Sequence, residues 1–359
     1  MTTAEIVRQR LINQQIATTK FTKPVEIISW LGAIQAQEYA MSRWAIGLRV
    51  PGLTDAAIEK AFNRGDFLRT HVLRPTWHFV APADIRWMLA LTAPRVRAAS
   101  AYVFRQAGLT SPVFKRARAI LTKALQGNRH LTRTDLQAAL HRGGIPADGE
   151  KLASLVIDAE LEGIICSGPR EGRQFTYALL DERVAPAKPL DRDEALAKLA
   201  ACYFASRGPA TAYDFAWWSG LTMGDARIGI ESLPANFLRE TLDGQTYVFP
   251  TPISASPGFG QATFLLPEYD EYGISYKDRS ALRSPTFDPV GTPTPGAPRK
   301  YLVIVDGLIA GTWQRREKER TAIIEPAFLK SLGQRQRRAV IDAVKKYDAF
   351  VAPGMDDRS

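Results

Sequence analysis

The sequence predicts an α+β chain of three tandem winged-helix modules, each a helix-turn-helix with a β-wing, followed by a C-terminal β-barrel-like domain. Three observations carry that expectation. Helical periodicity followed by a pair of short β-prone runs occurs three times before residue 250. Turn-forming residues join each pair: Arg74-Pro75, a Gly/Pro/Arg turn after Gly168, and Asp243-Gly244. Beyond Gly260 the helical texture gives way to strand-like runs. The boundaries expected from these changes are 1–90, 91–185, 186–256 and 257–359.

In the first module, Ile6, Leu11, Ile12 and Ile16 predict a helix over Glu5 to Thr18. Pro24 suits the first turn of a second helix running through Ile27, Ile28, Trp30 and Leu31. A third carries Tyr39, Met41, Trp44, Ala45 and Leu48 and stops at Pro51-Gly52. Thr54 caps a fourth, with Asp55 in its first turn and Arg64-Gly65 at its end. Phe67 to Leu73 and Trp77 to Val80 form the wing.

The second module reads as a helix over 112–126, a cap near Leu131 to Asp135 with a helix to His141, and a helix over 149–162. Ile164 to Gly168 and Phe175 to Leu179 are its wing. In the third, Glu194 to Ser206 is helical, and Thr211 and Thr222 cap the next two helices. Phe237 to Thr241 and Thr246 to Phe249 supply its wing. The C-terminal strands are Thr263 to Leu266, Tyr301 to Val305, Leu308 to Trp313 and Thr321 to Ile324, with Asp306-Gly307 as a tight turn. Ser284 to Arg299 holds five prolines and should be an exposed loop, and Gln336 to Tyr347 is an amphipathic closing helix.

A chain of 359 residues, 45% hydrophobic and 23% charged, is an ordinary globular composition with room for several modules. No apolar run approaches the ~18 residues that span a bilayer, and charged residues occupy the place of a signal peptide's apolar segment. A cytoplasmic location is expected. Cys166 and Cys202 lie in apolar surroundings and are not spaced with the histidines as zinc ligands, so no metal, disulfide or cofactor is expected. The net charge of +10 permits a polyanionic partner. The excess lies mainly in the first half, because residues 186–256 carry 6 basic and 8 acidic side chains.

The polar candidates begin with Gln35-Ala36-Gln37. In a helix, residues two apart point roughly 200° from each other; in extended chain they share a side. Two amides on one side offer carbonyl acceptors and N–H donors to one water or one polar substrate edge. On pattern alone, a solvated pair at a helix end is the plainer reading. In the hairpin that follows, Arg74 suits a phosphate and Trp77 or His78 a base. Trp77 and Phe79 also share a face, as in a packed core strand, and His71 and His78 suit structural positions. Arg43 adds a basic group on the third helix, and Lys115, Arg116, Arg118, Arg129, Arg133 and Arg142 mark the second module for phosphate contact. Glu268, Asp270 and Glu271 suit either acid–base chemistry or a structural network in a loop. Arg315, Arg316, Lys318 and Arg320 alternate with Glu317 and Glu319, a pattern more typical of a solvated strand edge.

Taken together, Leu31-Gly32-Ala33-Ile34-Gln35-Ala36-Gln37, Leu73-Arg74-Pro75-Thr76-Trp77-His78-Phe79, Leu265-Leu266-Pro267-Glu268-Tyr269-Asp270-Glu271-Tyr272, and Val305-Asp306-Gly307 with Gly311-Thr312-Trp313 resemble the AlkZ-like winged-helix DNA glycosylase family. The resemblance implies three winged helices forming a concave DNA-binding face, then a C-terminal β domain. It implies removal of alkylated purines, and in some members unhooking of interstrand crosslinks, through a Gln-x-Gln or Gln-x-Asp motif. Gln35 and Gln37 match the Gln-x-Gln form. The implied partner is double-stranded DNA, alkylated or crosslinked, engaged by a monomer associated with the nucleoid.

Chemistry narrows the substrate. Hydrolysis of an ordinary N-glycosidic bond asks for help to the leaving base and for stabilisation of an oxocarbenium-like sugar. An N7-alkylated guanine is already cationic and leaves neutral, so positioned water and electrostatic complementarity suffice. A neutral glutamine pair suits that substrate. The competing reading is a non-catalytic DNA-binding protein such as a transcriptional regulator; a small-molecule hydrolase lacks a nucleophile motif.

Overall fold

The computed structural model describes residues 1–251, 263–282, 301–318, 321–328 and 331–352. The proline-containing stretch from Ser284 to Arg299 lies outside them, as do the side chains of Arg316, Lys318 and Arg320.

The first part of the chain forms α1 (Thr3–Asn13), α2 (Pro24–Leu31), β1 (Ile34–Gln35), α3 (Tyr39–Arg49), α4 (Asp55–Arg64), β2 (Leu68–His71) and β3 (Trp77–Val80). Helix α1 ends earlier than its apolar spacing predicts. Gln15 takes a left-handed φ of 59°, and the Ile16 and Ala17 N–H groups fold back onto the Leu11 carbonyl. The β2–β3 hairpin has a third strand that propensity does not reveal. Two-residue β1 pairs with β3, giving the order β1-β3-β2.

A 25-residue helix, α5 (Pro82–Gln106), was also absent from the sequence expectation. Pro94 lies within it, and its weak amphipathicity hides its period. Next come α6 (Ser111–Leu125), β4 (Leu131–Thr132), α7 (Arg133–Arg142), α8 (Gly149–Leu161), β5 (Ile165–Ser167), β6 (Thr176–Leu179) and α9 (Leu180–Arg183). A third round gives α10 (Arg192–Arg207), α11 (Ala212–Ser219), α12 (Met223–Glu231), β7 (Phe237–Leu242) and β8 (Gln245–Pro250).

Local chemistry explains the helix starts. Thr54 accepts from the Ala57 N–H at 3.2 Å, and Thr132, Thr211 and Thr222 form capping boxes with Asp135, Asp214 and Asp225. Each such cap is worth about 1 kcal/mol. Asp243-Gly244 has φ values of 49° and 76°, as a two-residue hairpin turn requires.

The last part contains β9 (Thr263–Leu265), α13 (Glu271–Ile274), β10 (Tyr301–Val305), β11 (Leu308–Lys318), β12 (Thr321–Phe328) and α14 (Gln334–Val351). The expected β-barrel-like closure is not found: the described strands form an open antiparallel sheet, β12-β11-β10-β9. Closing a barrel needs enough tilted, staggered strands to enclose an interior, and four strands do not provide it. Helix α14 instead packs beside the sheet. Trp313, 1% exposed, packs against Tyr301 and Tyr347, while Tyr347 and Phe350 reach Trp44 on α3. Gly47 makes this approach possible, since a Cβ there would stand 2.5 Å from the Phe350 ring.

The cores do not follow chain order. One cluster joins Leu68, Val80 and Met88 to Tyr203 and Trp218 and on to Leu266, Tyr272 and Ile304. A second joins α2 and α3 to Leu265, Trp313 and α14. Residues 104–179 hold a cluster largely their own, including Leu121, Leu140 and Leu155. Among the described residues, no helix is long and apolar enough to cross a membrane.

Candidate active site

The site is built on β3. Gln35 pairs across the sheet with His78, and His78 with Thr70, so these three side chains form a row on one face. Beyond Gln35 the chain keeps contact with β3 as it turns away at Gln37: the Ala36 N–H donates to the Trp77 carbonyl at 2.6 Å, and the Trp77 N–H to Gln37 Oε1 at 3.3 Å. Gln37 is exposed, whereas Gln35 is 8% exposed.

Gln35 is held at both ends. Its backbone N–H donates to Glu271 Oε1 at 2.9 Å, and its side-chain Oε1 accepts from Arg74 Nη2 at 2.9 Å. Because a guanidinium only donates, the amide oxygen must face Arg74, which fixes the orientation of the amide. One oxygen lone pair and the NH2 group are then left for other partners. Arg74 was expected on a phosphate; it is half-buried, and burial lowers its pKa ahead of the opposing effect of Glu271.

Behind Gln35 stands a buried polar scaffold. Glu271 Oε2 accepts from Arg207 Nη2 at 2.7 Å, Ser275 Oγ at 2.7 Å and Trp218 Nε1 at 2.9 Å. Burial alone would raise its carboxyl pKa, yet Arg207 and these hydrogen bonds hold it at about 2. Asp270 forms a two-pronged pair with Arg49, at 2.8 and 2.9 Å, in which both side chains are buried. Two members of the acidic cluster are therefore structural, and the third, Glu268, faces a cleft.

That cleft, about 360 Å³, is lined by Gln35, Arg74, Trp217, Glu268, Tyr269 and Arg279 among others. Sequence reading did not single out Trp217, Tyr269 or Arg279. Trp217 and Trp218 are adjacent on an apolar helix, and only the fold shows that one faces inward and the other the cleft.

The remaining candidates are dispersed. His78 is fully enclosed, with Nδ1 2.9 Å from the Thr76 carbonyl and Nε2 without a hydrogen-bond partner. Burial, followed by nearby Arg74, pushes its pKa down to about 3, so it is neutral. Trp77 is half-buried, with the Arg69 guanidinium 4.0 Å from its ring centroid and His71 at 3.9 Å, while His71 pairs with buried Glu160. Arg43 bridges Asp55 at 3.0 Å and Glu59 at 2.7 Å. Arg118 joins Glu162 at 2.9 Å. Lys115, Arg116, Arg129, Arg133 and Arg142 are exposed on the second helical round, with Arg116 also donating to the Gly143 carbonyl. Among the described residues, no group of three His, Cys, Asp or Glu is gathered to hold a metal ion.

Comparison with known proteins finds three results. No curated protein sequence matches the chain. Among solved structures, the fold is similar to the Streptomyces sahachiroi DNA glycosylase AlkZ, with a TM-score of 0.78, 17% identity, and coverage of 98% of this chain and 96% of that one. The model of the AlkZ-like DNA glycosylase family matches residues 28–350, a span that holds both glutamines, Arg74 and the whole cleft, and the chain belongs to that family.

Proposed function

We propose that the protein is a monofunctional DNA glycosylase that hydrolyses the N-glycosidic bond of cationic N7-alkylated purines, with Gln35 and Gln37 positioning the attacking water. The observation that carries this reading is the double anchoring of Gln35 by Arg74 and Glu271 beside an open cleft. An amide so fixed is a poor base but a well-oriented hydrogen-bonding group, and a cationic purine needs orientation more than proton transfer. Water oriented beside C1′ attacks as the bond to N9 breaks; the base leaves neutral and the water gives up a proton to solvent.

In this reading, the three rounds of helices and wing are winged-helix modules over 1–90, 91–185 and 186–256. Lys115, Arg116, Arg129, Arg133 and Arg142 of the second contact DNA phosphates. The same chemistry extends to N7-linked interstrand crosslinks, in which each linked purine is itself a cationic N7-alkyl adduct. The protein would act as a monomer.

The test uses duplex DNA carrying one N7-methylguanine, with alkaline cleavage of the abasic product. Wild type should give strand scission, and Gln35→Ala and Gln37→Ala should lose it by about a hundredfold. Binding of a preferred intact sequence with no excision would instead identify a regulator.

A further inference from the structure

The cleft beside Gln35 presents two aromatic side chains from distant parts of the chain. Trp217 is 43% exposed and Tyr269 is 37% exposed, and both line it. Large aromatics gain stability by leaving water, and these two keep more than a third of their surface exposed at one cleft.

Both are held by buried structure. Trp217 is carried on α11, beside Trp218, whose ring is fully buried and bonded to Glu271. The Trp217 indole N–H donates to the Ile274 carbonyl at 3.3 Å, tying the ring to α13. Tyr269 has a φ of 59°, the left-handed region that a non-glycine residue enters at a cost in strain. Its neighbour Asp270 is locked by Arg49, which fixes the backbone at this point. The turn and the ion pair together hold Tyr269 at the cleft.

We infer that Trp217 and Tyr269 clasp a singly alkylated purine nucleotide after it leaves the DNA stack, holding its base face-on in the cleft beside Gln35; a purine still crosslinked to the opposite strand does not take this step. This rests on the glycosylase reading above and names where the base goes. Aromatic faces accept any base by stacking and favour one carrying positive charge. A cleft of about 360 Å³ lies at the lower end of the ~300–1,000 Å³ range of small-molecule sites, which suits a single nucleotide. Arg279, in the same lining, suits the phosphate that enters with it. The clasp would select cationic lesions before any bond breaks, and sequence context would matter little.

The experiment places 2-aminopurine next to N7-methylguanine in a duplex and follows its fluorescence on mixing with the full-length protein, alongside single-turnover excision. Variants are Trp217→Ala, Tyr269→Ala, the ring-keeping Trp217→Phe and Tyr269→Phe, and the distant Tyr102→Ala, whose ring is 65% exposed on α5. Wild type should give a lesion-dependent fluorescence rise. Each alanine variant should weaken the rise and slow excision by about tenfold to a hundredfold, with the phenylalanine variants within about threefold of wild type. Tyr102→Ala should match wild type. Folded alanine variants that excise at the wild-type rate would overturn the clasp, as would a wild-type protein giving no lesion-dependent rise. Should an alanine variant fail to fold, the wild-type fluorescence and the phenylalanine variants decide. A rise that depends on both rings without any excision would keep the clasp and remove the hydrolytic reading.

Discussion

Arg74 Nη2 donates to Gln35 Oε1 at 2.9 Å, so the residue expected to meet a phosphate is the one that sets the direction of the candidate catalytic amide. Replacing Arg74 with Met keeps much of its volume and removes the donor. Single-turnover excision should fall by at least about tenfold, because a misdirected amide loses the positioned water. Binding to undamaged duplex should change less, and equal losses in both would assign Arg74 to phosphate contact instead.

Two buried groups near this pair make stability depend on acid. Glu271 has a folded pKa of about 2 against an ordinary 4.5, so its contribution is present above about 4.5 and is lost as pH falls toward 2. His78 is also depressed, to about 3 from 6.5, so the unfolded chain takes up the proton first and stability declines as pH falls through that window. Urea titrations from pH 7 to 3 should show the loss. The variant Glu271→Gln should be less stable at neutral pH by about 3–5 kcal/mol, because Arg207 is left buried without its counter-ion, and its acid limb should be flatter.

The packing of α3 against α14 invites a double-mutant cycle. Gly47→Ala puts a methyl group 2.5 Å from the Phe350 ring and should cost about 1–3 kcal/mol. Phe350→Ala alone should cost about 3–5 kcal/mol through the cavity it leaves beside Trp44 and Tyr347. The double variant should be more stable than the two losses added together. Strict additivity in chemical denaturation would show that the two residues do not meet.

Phosphate binding by the second helical round should appear in salt dependence. Replacing Arg129, Arg133 and Arg142 together with Ala should lower the slope of log affinity against log salt, by about 0.9 for each phosphate that is no longer neutralised. An unchanged slope on undamaged duplex would move the DNA track elsewhere.

What could be seen in the sequence was mostly local. Thr54, Thr211 and Thr222 cap their helices, and both Asp-Gly pairs turn, because each depends on residues within a few positions. The Gln-Ala-Gln triplet was likewise visible as a candidate. Its extended backbone was not, since β1 exists only because Ile34 and Gln35 pair with residues more than forty positions away. Helix α5 escaped because its apolar residues do not gather on one face. Arg49 and Arg207 look like surface cations in the sequence and are in fact fully buried partners of Asp270 and Glu271. Likewise, no pattern in the chain separates inward Trp218 from exposed Trp217.

The bond from the Gln35 N–H to Glu271 spans 236 positions in the chain. At the ~5–20 residues per second of protein synthesis, on the order of ten to fifty seconds separate the appearance of the two residues. Until Glu271 emerges, neither Arg207 nor Gln35 has its carboxylate, so a nascent or truncated chain that has folded its first helices still lacks a finished centre. Synthesis through Glu271 is thus a precondition for the centre, which no shorter N-terminal part of the chain can assemble by itself.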